Sequence, residues 1–84
     1  MLIRNVVVQQ SRGLQAENSV KLVEIGSSFN SEITIIKNGI SAELDIIEIF
    51  NLNVEEGQEI TLIVIGLHER YAIEVLADYL MDKL

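Results

Sequence analysis

The chain has 84 residues, of which 49% are apolar, and a formal net charge of −7. Its length predicts one domain, residues 1–84, with a modest core. The negative charge opposes a phosphate backbone, which excludes nucleic acid as a partner, and the lack of cysteine excludes disulfides and thiolate metal sites. The N-terminal residues lack a signal-peptide pattern and no apolar run could span a membrane, so we expect a cytoplasmic protein.

The N-terminal third predicts a strand followed by a helix. Residues 2–9 are rich in valine, which is typical of a strand. A helix is predicted from Ala16 to about Ser27, because apolar residues recur there at helical spacing. These are Ala16, Val20 and Val23, joined by Leu22 and Ile25. The segment Gly26-Ser27-Ser28 ends the helix.

The middle of the chain predicts a hairpin. Residues 32–37 form the second predicted strand and residues 40–44 the third. Asn38 and Gly39 lie between them, and both residue types tolerate the positive φ of a type I′ turn. Asp45 and Glu48 then fit a capping box for a short helix that ends near residue 51.

The C-terminal part predicts a central strand and a final helix. A turn at residues 55–57 precedes a strand over residues 59–65, which is apolar at almost every position. The last helix runs from about Glu69 to Leu84 with Ala72, Val75, Leu76, Tyr79 and Leu80 inward. The order βαββαβα predicts an α+β fold with helices on one face of an antiparallel sheet.

One motif lies between the first strand and the first helix. Residues 13–18 read Gly-Leu-Gln-Ala-Glu-Asn. They resemble the active-site motif of HPr, the phosphocarrier family of the bacterial sugar phosphotransferase system, which has Gly-(Leu/Ile)-His-Ala-Arg-Pro. Gln15 stands where the family has its phosphoacceptor His, Glu17 where it has Arg, and Asn18 where it has Pro.

The resemblance covers nearly the whole chain. It implies the HPr open-faced sandwich, with a four-stranded antiparallel sheet in the order 1-4-2-3. It also implies that the catalytic position is degenerate, because a carboxamide cannot be activated as a nucleophile at neutral pH. Glu17 would repel a phosphoryl group at the helix N-terminus, where the family's Arg would attract it. Gln15 and Glu17 either keep a binding role or only maintain the fold.

The only histidine, His68, does not replace the missing acceptor. It lies at the predicted start of the last helix, far in sequence from position 15, and a histidine there is typically solvated. A single histidine with scattered carboxylates predicts no metal site, and nothing in the sequence predicts a cofactor.

A second position matters for regulation in this family. Many Gram-positive HPr proteins carry a Ser, phosphorylated by a kinase, at the start of the second helix, and the resemblance places Asp45 there. Asp45 is either a partial phosphoserine mimic or simply the cap of the helix. The Crh-like branch of the family has Gln at the catalytic position but keeps the Ser and the Arg. Ile46 and Ile47 match the apolar pair that HPr presents to its partners.

The sheet is expected to have two apolar faces. Alternation within strands directs one set of side chains toward the helices, namely Val6, Val8, Ile33, Ile35, Ile60, Leu62 and Val64. The alternate set faces solvent, namely Val7, Thr34, Ile36, Thr61, Ile63 and Ile65. The family usually has polar residues on that face. Val7, Ile36, Ile63 and Ile65 therefore predict weak self-association as a homodimer.

Three functions follow from these observations. The first is a non-phosphotransferring, Crh-like binding protein that contacts phosphotransferase components or a transcriptional regulator through Gln15, Glu17, Ile46 and Ile47. The second is a phosphocarrier with an unrecognised acceptor. The third is a structural subunit that self-associates through its sheet.

Overall fold

Alternating apolar residues and well-placed turns produce three helices packed on one face of a four-stranded sheet. The computed structural model describes residues 1–83. The elements are β1 (Leu2–Val7), α1 (Ala16–Ser27), β2 (Ser31–Lys37), β3 (Ile40–Glu43), α2 (Ile46–Asn51), β4 (Glu59–Gly66) and α3 (Glu69–Leu80). Within these residues, no helix has the length and apolar character needed to cross a membrane.

The sheet has the order β1-β4-β2-β3, and each neighbouring pair is antiparallel. This confirms the predicted architecture and the central position of β4. Asn38 and Gly39 both have positive φ, 51° and 79°, as a type I′ turn requires. All seven side chains predicted to face the helices are buried.

The inward face of α1 agrees with the prediction at Leu22, Val23 and Ile25, which are buried or packed against the core, and differs from it elsewhere. Val20 is 39% exposed and Ala16 is exposed, whereas Ser19, Leu22 and Gly26 are buried. An added Cβ at Gly26 would lie 2.8 Å from the Leu44 side chain. The helix thus approaches its neighbours through small residues, which hydrophobic periodicity does not detect.

The last helix is shorter than predicted, because it ends at Leu80. Asp82 adopts a positive φ of 59°, its N–H donates to Tyr79 O at 3.0 Å, and Lys83 N–H donates to Asp78 O at 2.8 Å. This is the Schellman pattern with Asp in the place that glycine usually takes. Leu84, the predicted end, lies outside the described residues.

Candidate functional site

The loop before α1 is held in place by its contact with the segment after α2. Gly13 has φ +58°, and a Cβ at this position would collide with the Val54 carbonyl oxygen. The next residue, Leu14, is fully buried and donates its backbone N–H to the same oxygen at 3.0 Å. Gly13 and Leu14 therefore fix the backbone that leads into the predicted site.

Asn18 also holds this loop together. Its side-chain amide donates to the carbonyl oxygens of Ser11 and Gly13, both at 2.8 Å. The backbone carbonyl of Asn18 accepts the Tyr79 hydroxyl at 3.2 Å. Burial, and to a lesser extent the nearby Asp82, raises the pKa of Tyr79 above its ordinary value. Asn18 was predicted only as a departure from the family's Pro; its role in the loop emerges from the structure.

Gln15 occupies the N-cap position of α1, with φ −94° and ψ 153°. Its side chain makes no capping hydrogen bond; its amide nitrogen instead donates to Asn53 Oδ1 at 3.2 Å. Glu17 lies exposed in the first turn, where the positive end of the helix dipole favours a carboxylate. The structure thus brings Gln15 and Glu17 together at the helix start, as predicted.

Arg12 is a site residue that the sequence analysis missed. It has φ +71° and lines an open depression of about 540 Å³ with Gln15, Asn53, Glu55 and Glu56. Among residues 1–83, Arg12 is the one Lys or Arg that lines it. Its neighbour in sequence, Gly13, marks the turn, but only the three-dimensional structure reveals that Asn53 to Glu56 lie opposite.

Asp45 caps α2. Its Oδ1 accepts the backbone N–H of Glu48 at 3.0 Å, which confirms the first half of the predicted capping box. The second half is wrong: Glu48 Oε1 accepts from Glu43 N at 3.0 Å, because Asp45 N is already bonded to Glu43 O at 2.8 Å. Glu48 thus connects α2 to the end of β3 rather than to the cap residue.

The short helix exposes an apolar surface. Ile46 is 41% and Ile47 70% exposed, as predicted, and Phe50, which was not predicted, is 46% exposed. The end of α2 is attached to the sheet, because Lys37 Nζ donates to the carbonyl oxygens of Asn53 at 2.7 Å and Leu52 at 3.2 Å. We refer to Ile46, Ile47 and Phe50 as the α2 surface.

The structure does not bring Gln15 and Asp45 together. Gln15 contacts Asn53, which follows the C-cap of α2, whereas Asp45 is the N-cap of that six-residue helix. A six-residue helix is about 9 Å long, so Gln15 and Asp45 lie near opposite ends of α2. His68 is farther away, at the N-cap of α3, where its Nδ1 accepts from Asn30 N at 3.4 Å.

The other face of the sheet carries the residues predicted for self-association. Ile63 lies between Ile3 and Thr34, and Ile36 is paired with Thr61. Val7 is paired with Glu59 at one end of the sheet. Ile3 was missing from the predicted set, although its position two residues before Asn5 and four before Val7 places it on the same face.

Comparison with known proteins identifies the family. The family model described as "PTS HPr component phosphorylation site" matches residues 3–82. The HPr-like protein Crh of Bacillus subtilis (strain 168) is 33% identical over 85 residues, which cover 99% of each chain.

Solved structures have the same fold. HPr-C-His from Thermoanaerobacter tengcongensis is similar with a TM-score of 0.93 and 27% identity, covering 99% of this chain and 94% of that one. Crystalline Crh from Bacillus subtilis, described as an intertwined dimer with a swapped domain, gives a TM-score of 0.81 and 32% identity, covering 100% and 98%. With sequence and fold both matched along nearly its whole length, this chain belongs to the HPr family of the phosphotransferase system.

Proposed function

We propose that this protein is a regulatory binding protein of the HPr family that does not carry a phosphoryl group. Members of the family are phosphocarriers rather than enzymes in the usual sense. The observation that carries the proposal is Gln15 at the N-cap of α1, the position that the family motif assigns to its phosphoacceptor. In this proposal the protein acts in the cytoplasm, Crh-like, through contact with phosphotransferase components or a transcriptional regulator.

The chemistry of Gln15 supports this proposal. A phosphocarrier needs a nucleophilic atom that forms a labile bond to phosphorus, and an amide nitrogen has no available lone pair at neutral pH. The Gln15 amide is also engaged with Asn53, so the side chain functions here as a hydrogen-bonding group. It can contact a partner through its carbonyl oxygen.

The charges around Gln15 support it as well. Glu17 lies in the first turn of α1, and Glu55 and Glu56 line the adjacent depression beside Arg12. Three carboxylates against one guanidinium oppose the approach of a phosphoryl dianion. The same group of charges favours a partner that offers hydrogen-bond donors and positive charge.

The α2 surface supplies the apolar part of the proposed docking site. Ile47 is the most exposed of its three residues, and buried aliphatic area contributes about 25 cal/mol per Å² to association. Asp45 presents one oxygen to Glu48 N and is itself exposed. Its second oxygen accepts no hydrogen bond from residues 1–83, and in this proposal it acts as the partial phosphoserine mimic.

The test is incubation of the purified protein with phosphoenolpyruvate and enzyme I, followed by intact mass measurement under conditions that preserve phosphohistidine. We expect no added phosphoryl group, while an HPr with the family's His, in the same reaction, becomes fully phosphorylated. A stoichiometric phosphoryl adduct on this chain would overturn the proposal.

A phosphocarrier with another acceptor is the competing function, and His68 is its one histidine candidate. His68 follows the strand that ends at Gly66, next to the C-terminal end of α1. The 12 residues of α1 separate it from Gln15 by about 18 Å. An enzyme I that docks around Gln15 would therefore not reach it. Retention of any adduct in a His68→Gln variant would exclude His68 as its site.

A further inference from the structure

A second surface, independent of the helices, lies on the solvent-facing side of the sheet. We define the open-face patch as Ile3, Ile63 and Ile65 with the adjoining Thr34, Ile36 and Thr61. The strand register places Ile63 directly between Ile3 and Thr34, and Thr61 directly beside Ile36. Among the described residues no helix covers this side, because all three helices pack on the other face.

The apolar residues of this patch are accessible to a partner. Ile3 is 59% and Ile65 44% exposed, while Ile63 and Ile36 are partly exposed between their neighbours. A sheet of four strands is about 19 Å wide, and seven residues of strand extend about 23 Å. A helix of about 16 residues has a similar length, so one amphipathic helix can cover the patch.

The charges at the margin of the patch all have the same sign. Alternation along the strands puts Glu32, Glu43 and Glu59 on this face, where they are paired with Ile65, Thr34 and Val7. No Lys or Arg of residues 1–83 shares the face: Lys37 points to the other side, where it bonds the end of α2. The patch therefore has isoleucine and threonine side chains at its centre, with Asn5 accepting from the Thr61 hydroxyl at 2.8 Å, and an acidic margin.

This arrangement selects among possible occupants. Anionic membranes and nucleic acids are repelled by the three carboxylates and by the net charge of −7. A second copy of this chain would bring two acidic margins together. A partner segment with an apolar stripe flanked by Lys and Arg is complementary in both respects. We infer that the open-face patch binds a basic amphipathic segment of a protein partner.

This inference does not rest on the proposed function, because the open-face patch and the α2 surface lie on opposite sides of the sheet. A protein with both surfaces could hold two partners at once. Binding at the patch would occur whether or not Gln15 accepts a phosphoryl group, so the two proposals are separately testable.

The probe is a synthetic 16-residue helical peptide with leucines on one face and flanking lysines. Titration into the ¹⁵N-labelled protein should produce saturable shifts at the amides of Ile3, Thr34, Ile63 and Ile65. A matched peptide with Glu in place of each Lys should produce none. Raising NaCl from 50 to 500 mM shortens the Debye length from more than about 10 Å to a few Å. Because the attraction between the lysines and the acidic margin is then screened, the affinity should fall severalfold.

Variants then separate the two surfaces. Ile63→Thr with Ile65→Thr should reduce affinity at least about tenfold, which is equivalent to about 1.4 kcal/mol. Ile47→Thr, on the α2 surface, is the matched control and should leave affinity unchanged. A double variant Glu32→Lys with Glu43→Lys should also weaken binding of the Lys peptide and permit binding of the Glu peptide.

Other results would overturn the inference. Shifts confined to Ile46, Ile47 and Phe50 would assign the peptide to the α2 surface. Equal binding of the Lys and Glu peptides, or no binding of either, would remove the role of the acidic margin. A dimer at tens of micromolar by light scattering, lost in the Ile63→Thr and Ile65→Thr variant, would make a second copy the occupant.

Discussion

Gly13 is the residue at which the backbone has the least freedom to change. Its φ of +58° lies in the left-handed region, and a Cβ would collide with the Val54 carbonyl oxygen. The Leu14 N–H uses the same oxygen, so Val54 cannot move aside without losing that bond. The loop that presents Gln15 is therefore positioned by a backbone contact and does not depend on the identity of residue 15.

This contact gives the first prediction. Gly13→Ala should destabilise the protein by more than about 2 kcal/mol, because the cost of a left-handed alanine, about 1–2 kcal/mol, adds to the steric conflict. Gly57→Ala is the matched control, since Gly57 also has positive φ, but in the described part of the chain no atom beyond its two neighbours lies within 4 Å of the added Cβ. The Gly57→Ala variant should lose only the stability that a left-handed alanine costs, about 1–2 kcal/mol. Urea unfolding of both variants measures the difference, and equal losses would show that the segment at Val54 moves freely.

Restoring the family's residues at the site gives the second prediction. Gln15→His alone should recover little phosphotransfer from enzyme I, because Glu17 still repels the phosphoryl group. Gln15→His with Glu17→Arg should accept it at least about tenfold faster, since the repulsion is replaced by a charge-assisted contact. Initial rates with phosphoenolpyruvate and enzyme I measure this. Equal rates for the two variants would mean that the charge at position 17 does not control the reaction.

At the scale of elements, caps define the short helix α2. Asp45 satisfies the N–H of Glu48, and Lys37 satisfies the carbonyl oxygens of Leu52 and Asn53 at the other end. A helix of six residues is too short to be stable by itself. These side chains, with the buried Ile49, therefore keep the α2 surface in position.

The third prediction concerns the cap. Asp45→Ala should destabilise the protein by roughly 0.5–2 kcal/mol, whereas Asp45→Ser should be nearly neutral, because serine also caps helices well. Thermal and urea unfolding measure both variants. If Asp45 also mimics phosphoserine, Asp45→Ser should weaken binding to the partner with stability unchanged. Unchanged affinity would leave capping as the whole role of this residue.

The N-terminus is tied to the start of α3. The ammonium group of Met1 lies 2.9 Å from Glu69 Oε2, which also accepts the Gly66 N–H at 3.1 Å. These contacts, the ammonium group first, lower the pKa of Glu69 below its ordinary value of 4.5. Since the folded pKa is the lower one, the stabilisation is fully present above about pH 4.5 and is lost as the pH falls through the folded pKa.

The fourth prediction follows from that order of causes. Acetylation of the N-terminal amine should raise the pKa of Glu69 toward its ordinary value without reaching it, because Gly66 still donates. An NMR titration of the Glu69 carboxyl carbon in both forms measures the change. In a Glu69→Gln variant, acetylation should no longer alter the acid limb of the stability curve. An unchanged Glu69 titration would show that the ion pair does not form in solution.

Some elements could be predicted from the sequence, and others could not, for physical reasons. Strands and the hairpin follow from alternation and from Asn38-Gly39, which are local signals. The inward face of α1 does not, because Ser19 and Gly26 are buried by close approach rather than by hydrophobicity; Ser19 satisfies its hydroxyl with Ala16 O at 2.7 Å. The end of α3 was missed since Asp82, not glycine, takes the left-handed position.

The residues of the candidate site also divide into those with a local signal in the sequence and those without one. Gln15, Glu17 and Asp45 were found from a motif and a cap, both of which depend on adjacent residues. Arg12 faces the segment around Asn53 and Glu55, some 40 positions along the chain, and that contact has no local signature. The bond from Glu43 N–H to Glu48 spans only five residues. The capping-box pattern assigns Glu48 to Asp45 N instead, because the sequence does not show that Glu43 O already accepts that N–H.

At the scale of the whole molecule, the sheet separates a buried face from an open one, and β4 belongs to both. Ile60, Leu62 and Val64 are at most 1% exposed, whereas Ile65 is 44% exposed. The two sets alternate along one strand, so substitutions at neighbouring positions of β4 act on opposite faces of the sheet. The core thus depends on Ile60, Leu62 and Val64, and residues of the open-face patch can be substituted without disturbing the core.

The last prediction tests this separation. Ile60→Thr should destabilise the protein by about 2–4 kcal/mol, because it removes buried methyl groups and places a hydroxyl in the core. Ile63→Thr and Ile65→Thr should each cost less than about 1 kcal/mol, since threonine keeps the β-branched shape that strands favour and its hydroxyl reaches water. Urea unfolding measures all three variants. Comparable losses at Ile60 and Ile63 would mean that the open-face patch is buried in solution as the core is, and a larger loss at Ile63 than at Ile60 would mean that the two faces of β4 are reversed.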